Sequence, residues 1–317
     1  NPPGKRGSVN TNDSNAQFGG LKMFLHADRI AQWQAGELPA PVTVELDLTN
    51  LCNHSCPDCT FSYLVNVNKD SLTEDIAWRV IDELCKMGVR AVTFSGGGEP
   101  LVYGPDRVLK LMRSARAGGM DVGLITNGSL LSNPEFLDVC TWVRVSLDAY
   151  DEKTFARFHG RKAGEFVKCA ANVRAMATVR PRKATLGVGF LTDYDSIERR
   201  DFWHMAQFCE TMPGLDYLQF RPLVKNMVVD SSLTGGYAGF DQDDLAEILA
   251  EYNQARTIFA REDFKVLLSS DKYTALGLPH FGREYDRCHG HFLECVISAD
   301  AKCYICCLTQ GQEQFCL

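Results

Sequence analysis

The sequence predicts an α/β fold, a parallel sheet interleaved with helices, followed by a small Cys-rich domain. Three observations carry this. Strand-length apolar runs recur six times, a helical stretch separates each from the next, and cysteines crowd the C-terminal end. The candidate strands are 42–48 (VTVELDL), 91–95 (AVTFS), 121–126 (DVGLIT), 142–147 (WVRVSL), 185–191 (TLGVGFL) and 216–221 (DYLQFR). Helical stretches lie between them at 73–87, 105–118, 134–140, 151–159, 164–178 and 196–211. Repeats at this spacing imply parallel strands joined by right-handed crossovers. A doubly wound sheet and an open partial barrel satisfy the pattern equally well.

The flanking segments follow from local chemistry. Residues 1–20, rich in Asn, Gly, Ser and Pro, read as a flexible tail, and 21–36 as a short amphipathic helix closed by Gly36 and the Pro39/Pro41 pair. A helix over 241–260 follows the last strand; its acidic run, Asp241 to Glu251, reads as a cap and a solvated face. After about residue 275 the character changes, and 288–317 carries a hairpin-like VIS-ADAK-CYICC. The expected organisation is a tail and helix (1–41), a strand–helix unit (42–225), a helical connection (226–287) and a Cys-rich domain (288–317).

Composition narrows the function classes. The 317 residues are 45% hydrophobic and 23% charged, ordinary for a globular chain with a real core. No apolar run approaches the roughly 20 residues needed to cross a membrane. A net charge of −7 argues against nucleic acid as the main partner, because phosphate binding favours a basic face. The 13 cysteines are the outlier, and nine of them fall into two clusters. A secreted disulfide scaffold is normally short, so thiolate-held metal in a reducing cytoplasm fits better. Cys85, Cys140, Cys169 and Cys209 stand singly and read as small buried hydrophobes.

The first cluster follows the first strand as Cys52-x3-Cys56-x2-Cys59. Structural zinc wants four ligands, and His54, inside the loop beside Cys52, would strain the turn to supply one. A [4Fe–4S] cluster held by three cysteines leaves one iron open. This loop resembles that of the radical S-adenosylmethionine (SAM) enzymes. Strand two runs into Ser95-Gly96-Gly97-Gly98-Glu99-Pro100, which resembles the family's Gly-Gly-Glu-Pro segment; Thr126-Asn127-Gly128 and Ser146-Leu147-Asp148-Ala149 also match. The resemblance covers about 42–225 and implies a partial (β/α)6, TIM-like barrel with the cluster at the carboxyl ends of its strands. It further implies that Cys52, Cys56 and Cys59 bind three irons and that SAM chelates the fourth. Gly97, Gly98 and Glu99 would hold the SAM amino group, with Ser146 and Asn127 facing the ribose or the substrate. One departure is Asp58, where the family usually has an aromatic residue before the third cysteine; Phe61 is a substitute or simply packs in the core. The implied chemistry is reductive SAM cleavage to a 5′-deoxyadenosyl radical that abstracts a substrate hydrogen.

The second cluster is Cys288-x6-Cys295-x7-Cys303-x2-Cys306-Cys307-x8-Cys316. Chemistry alone permits a zinc ribbon. The order and hairpin resemble the SPASM and twitch extensions that carry an auxiliary [4Fe–4S] cluster. That resemblance implies Cys288 and Cys306 as ligands, then Cys307 and Cys316, with Cys295 and Cys303 able to displace either. Ala301 stands where the pattern has Gly. Adjacent strand residues point to opposite faces, so Cys306 and Cys307 reach one cluster only if the strand ends there. The auxiliary cluster would anchor the fold, accept an electron or ligate substrate; a spare cysteine would instead donate hydrogen in an epimerisation.

Gln219 and Arg221 alternate on the sixth strand and would point into the barrel mouth, where Arg221 could clamp a carboxylate, that of SAM included. His204 reads as a surface or core residue, and His289 and His291 as neighbours of Cys288 rather than ligands. The expected function is a radical SAM oxidoreductase or isomerase acting on a small polar natural-product intermediate of aminosugar or carbohydrate type, with a flavodoxin- or ferredoxin-like electron donor. The alternative is modification of a ribosomal peptide, although no domain-sized stretch for leader binding precedes the first strand. From another class comes a non-catalytic Fe–S or zinc sensor, against which the glycine loop argues.

Overall fold

The computed structural model describes residues 24–160, 164–223, 242–269, 272–273 and 290–317. Helix α1 (Ala27–Gln34) leads to β1 (Thr43–Asp47), α2 (Ser62–Val67) and α3 (Glu74–Met87). Then come β2 (Ala91–Ser95), α4 (Pro105–Ala117), β3 (Asp121–Thr126), α5 (Phe136–Val139), β4 (Trp142–Ser146), α6 (Glu152–His159) and α7 (Gly164–Thr178). The chain continues through β5 (Thr185–Thr192), α8 (Asp201–Glu210), β6 (Tyr217–Pro222), α9 (Gln242–Phe259), β7 (Lys265–Leu268), β8 (Glu294–Ile297) and β9 (Cys303–Tyr304). All six expected strands form. Helix α8 starts later than expected because Asp193 caps a separate 3-10 turn, Tyr194–Ser196, and Arg200 breaks the path with φ 54°.

The strands lie in the order β7-β6-β5-β4-β3-β2-β1-β8-β9. From β1 to β7 the spatial order is the chain order and every pairing is parallel. A doubly wound sheet reverses direction at a switch point, which this order lacks. The sheet instead winds one way, as in a partial barrel, with its carboxyl ends on one rim. Two features exceed the sequence reading. The four-residue β7 adds to β6, and β8 pairs in parallel with β1, making the Cys-rich segment an extension of the same sheet.

Alternation gives the two faces opposite chemistry. Val44, Leu46, Val92, Phe94, Val143, Val145, Val188 and Phe220 are fully buried under the helices. Each such side chain contributes about 1.5–3 kcal/mol of burial free energy. The intervening positions, Glu45, Asp47, Ser95, Arg144, Ser146, Gln219 and Arg221, form a polar inner face. Register places Ser146 and Gln219 on either side of Gly189 in one layer. Cys140, Cys169 and Cys209 are buried, whereas Cys85 is half-buried against Gly118.

The β8–β9 hairpin turns at Ala301, whose φ of 64° lies in the left-handed region. An L-residue there costs about 1–2 kcal/mol, while glycine adds unfolded-state entropy worth about 0.4–1 kcal/mol. Ala301→Gly is therefore expected to stabilise the fold by a net 0.5–1 kcal/mol (order of magnitude), read as a higher urea midpoint at unchanged m-value.

Candidate active site

The site gathers at the carboxyl ends of β1 to β4. After β1, the Asn50 N–H donates to the Asp70 carbonyl at 2.8 Å and Leu51 N–H to Thr49 Oγ1 at 3.0 Å, which turns the chain into the cysteine loop. The loop after β2 lies directly on it. Gly98 N–H donates to the Thr49 carbonyl at 3.1 Å, Glu99 N–H to the Leu51 carbonyl at 2.9 Å, and Gly97 N–H to Asp47 Oδ2 at 3.1 Å. Glycine is required by that approach: a Cβ at 98 would fall 2.2 Å from the Leu51 carbonyl oxygen, and one at 97 would fall 2.3 Å from Asn50 Oδ1.

Glu99 is buried and accepts from Leu101 N at 3.1 Å, Thr126 Oγ1 at 2.6 Å and Asn127 N at 2.7 Å. Burial pushes its pKa up to about 7 against those three hydrogen bonds. Its carboxylate is thus occupied within the protein, tying the β2 loop to the end of β3. Asn127 Nδ2 donates to Asn53 Oδ1 at 2.8 Å, and Asn53 Nδ2 to Ser129 Oγ at 2.6 Å. Asn127 therefore holds the cysteine loop. Ser146 is half-buried on the inner face of β4.

Cys52, Cys56 and Cys59 are half-buried. Burial raises the Cys56 pKa, and Cys59 and Cys52 raise it further, so the three sulfurs converge within electrostatic reach. Three clustered thiolates need a cationic centre to offset their repulsion and desolvation, and three soft donors with one position open suit a [4Fe–4S] cluster. Asp58 is exposed and Phe61 half-buried at the start of α2.

The C-terminal end of α6 clasps the loop from the other side, which the sequence did not suggest. Ser55 N–H donates to the His159 carbonyl at 3.2 Å, and Gly160, with φ 58°, ends the helix. His159 Nε2 donates to the Leu147 carbonyl at 2.8 Å, which fixes its tautomer and turns Nδ1 toward Cys56 Sγ (3.5 Å) and His54 Nδ1 (3.2 Å). His54, Cys56 and His159 thus offer three ligand atoms within 4.8 Å of one another, a second metal-competent grouping sharing Cys56.

The second cysteine set splits into pairs. Cys295 on β8 contacts Cys303 on β9, and Cys306 contacts Cys307. β9 ends at Tyr304, so both Cys306 and Cys307 lie beyond the strand and its alternation does not separate them. Cys316 pairs across to Tyr304 by a single bridge. Cys288 and His289 lie outside the described residues, as does the side chain of His291. Gln310 joins this segment to the barrel: Tyr63 of α2 donates to its carbonyl at 3.1 Å and Ser298 to its Oε1 at 3.2 Å. His204 is exposed and tilts against Tyr150.

Residues 46–200 match the model of the radical SAM superfamily. A radical SAM domain thus occupies just under half of the chain. An S-adenosylmethionine-dependent nucleotide dehydratase of Lacinutrix mariniflava is 34% identical over 35% of this chain and 24% of its own length. A PqqA peptide cyclase of Gluconobacter oxydans is 30% identical over 51% of this chain and 45% of its own. Among solved structures, SuiB of Streptococcus suis bound to precursor peptide SuiA aligns with 93% of this chain and 67% of that one, with a TM-score of 0.64 at 17% identity, a likeness of fold. The chain thus spans less than half the length of these two curated relatives. Radical SAM enzymes use SAM and a [4Fe–4S] cluster. Among the described residues no helix is long and apolar enough to cross a membrane.

Two outcomes follow. Gly98→Ala is expected to part the two loops and lower iron retained after anaerobic reconstitution by more than half (a rough bound, since at 2.2 Å backbone must move), while far-UV circular dichroism stays unchanged. Glu45 is raised from 4.5 to about 7, first by burial, so between those values the fold keeps a proton the unfolded chain releases. Stability from this group is full below pH 4.5 and is lost as pH rises through 7. Glu45→Gln should therefore gain in Tm over the unsubstituted protein as pH rises from about 5 to about 8.

Proposed function

We propose that the protein is an enzyme that cleaves SAM at a cluster held by Cys52, Cys56 and Cys59 and works on a substrate in the barrel lumen. The observation that carries this is the convergence of three thiols beside a glycine loop, at the rim of a sheet whose inner face is polar. Bound by Cys52, Cys56 and Cys59, the cluster would supply the electron for reductive SAM cleavage and so the means of taking a hydrogen from the substrate. The chain's own residues orient and enclose. Glu99 and Asn127 hold the two loops in register through Thr126 and Asn53, so the backbone of Gly97 and Gly98 meets the cysteine loop at a fixed distance. Ser146, at the end of β4, faces the same space and is assigned to the ribose or substrate. The helices bury the outer face and keep water from the strands.

Cys288, Cys306, Cys307 and Cys316, with Cys295 and Cys303 in reserve, are assigned to an auxiliary [4Fe–4S] cluster of SPASM or twitch type in segment 288–317, next to the barrel unit 42–225. The reaction is an oxidation, epimerisation or rearrangement drawing electrons from a flavodoxin- or ferredoxin-like donor in the cytoplasm. A polar small molecule suits the polar lumen. Peptide modification is the second reading, favoured by the likeness to PqqA peptide cyclases and to a structure that holds a precursor peptide.

The test is iron content after anaerobic reconstitution, followed on the same sample by dithionite-driven SAM cleavage. About eight irons and 5′-deoxyadenosine are expected, falling by about four irons, with loss of cleavage, in Cys52→Ala/Cys56→Ala/Cys59→Ala. No cleavage by the unsubstituted protein would replace the enzyme with a sensor.

A further inference from the structure

Two arginines on the inner wall form no ion pair among the described residues, although Asp148 acts electrostatically on both and Glu45 on Arg144. Arg144 on β4 and Arg221 on β6 both lean over Gly189 on the strand between them. A Cβ at 189 would lie 3.0 Å from Arg221 Nη2 and 3.7 Å from Arg144 Cδ, so glycine leaves the room that both side chains use. Neither guanidinium forms an ion pair or hydrogen bond among the described residues, and Nε of each is buried without a partner. The neighbouring carboxylates are engaged elsewhere. Asp148 Oδ1 accepts from Leu191 N–H at 2.7 Å, Asp47 Oδ2 accepts from Gly97 N–H at 3.1 Å, and Glu45 bonds Ser95. Lys272 adds a third positive charge within reach of both.

Two like charges side by side, half-buried and without an ion pair among the described residues, are costly. Burial and then Arg221 push the Arg144 pKa down to about 9. A planar guanidinium presents donors in a fork that matches a carboxylate or phosphate, and two forks over one glycine enclose such a group from two sides. The pair rises from β4 and β6, whereas the cysteine and glycine loops rise from β1 and β2, around the curl of the sheet.

We propose that Arg144 and Arg221 form an oxyanion site in the barrel lumen that receives the carboxylate or phosphate group of the substrate. This rests on the reading of the lumen as the substrate chamber, and it makes the substrate anionic.

The experiment uses the reconstituted protein with SAM present and titrates sodium phosphate and sodium succinate, each against sodium chloride at matched ionic strength, by calorimetry and by Tm. One of the two anions should bind, identifying phosphate or carboxylate as the class, and binding should weaken at least tenfold in Arg144→Met and in Arg221→Met, an expectation of about one lost charge-assisted pair. Arg79→Gln, on an exposed face of α3, should bind as the unsubstituted protein does. Without anion, Arg144→Met should melt about 2 °C or more higher, because a charge with no ion pair among the described residues and a second arginine beside it has gone; this also shows that the variant folds. SAM affinity and SAM cleavage without substrate are measured in both Met variants and should stay within about twofold in Arg79→Gln. Absence of binding by both anions, or equal binding in the Met variants, overturns the proposal while SAM cleavage keeps the enzyme reading. Loss of SAM affinity in the Met variants overturns it in favour of a clamp on the SAM carboxylate. A protein that binds the anion through these arginines yet never cleaves SAM keeps the site and loses the radical reading.

Discussion

Two backbone hydrogen bonds hold the site together: Gly98 N–H to the Thr49 carbonyl and Glu99 N–H to the Leu51 carbonyl. They join the loops after neighbouring strands at a separation that only hydrogen side chains at 97 and 98 permit. The cysteine loop has little regular structure of its own. Its shape comes from this clasp, from Asp70 and Ser71 behind it, and from His159 and Gly160 at the end of α6. Three sulfurs can converge because three different segments press the loop into one form.

Electrostatics divides the inner wall. β1 carries Glu45 and Asp47, both with raised pKa values, because burial disfavours their charged forms. β4 and β6 carry Arg144 and Arg221. The two sides sense one another, since Glu45 acts on Arg144 across the curl, yet among the described residues no salt bridge joins these arginines to a carboxylate. A barrel filled for stability alone would carry branched apolar residues at these positions. The apolar packing lies instead on the outer face, under the helices, so the inner face is left to chemistry at some expense in stability.

The Cys-rich segment belongs to this arrangement through β8, which continues the sheet beside β1. Gln310 reaches back to α2, the helix that follows the first cysteine loop. Cys306 acts electrostatically on Glu45, and Cys307 on Lys272, so this second thiol set borders the same lumen as the first. Two cysteine groups far apart in the chain thus border one chamber.

The sequence by itself determined the six strands from β1 to β6, because alternation and apolar runs are local signals. It also determined the three-cysteine loop, whose spacing is its own evidence. It missed β7, too short to stand out, and the parallel seat of β8, which depends on a partner about 250 residues away. It placed Glu99 and Asn127 near a ligand, but only packing shows their polar groups spent on Thr126 and Asn53. His159 and Arg144 carried no motif; each acquires its setting from strands and loops distant in the chain. Tertiary structure alone decided the winding of the sheet, because chain-order pairing is a long-range property. The same curl decided which charges meet, since alternation tells which face a residue takes and never what stands across from it.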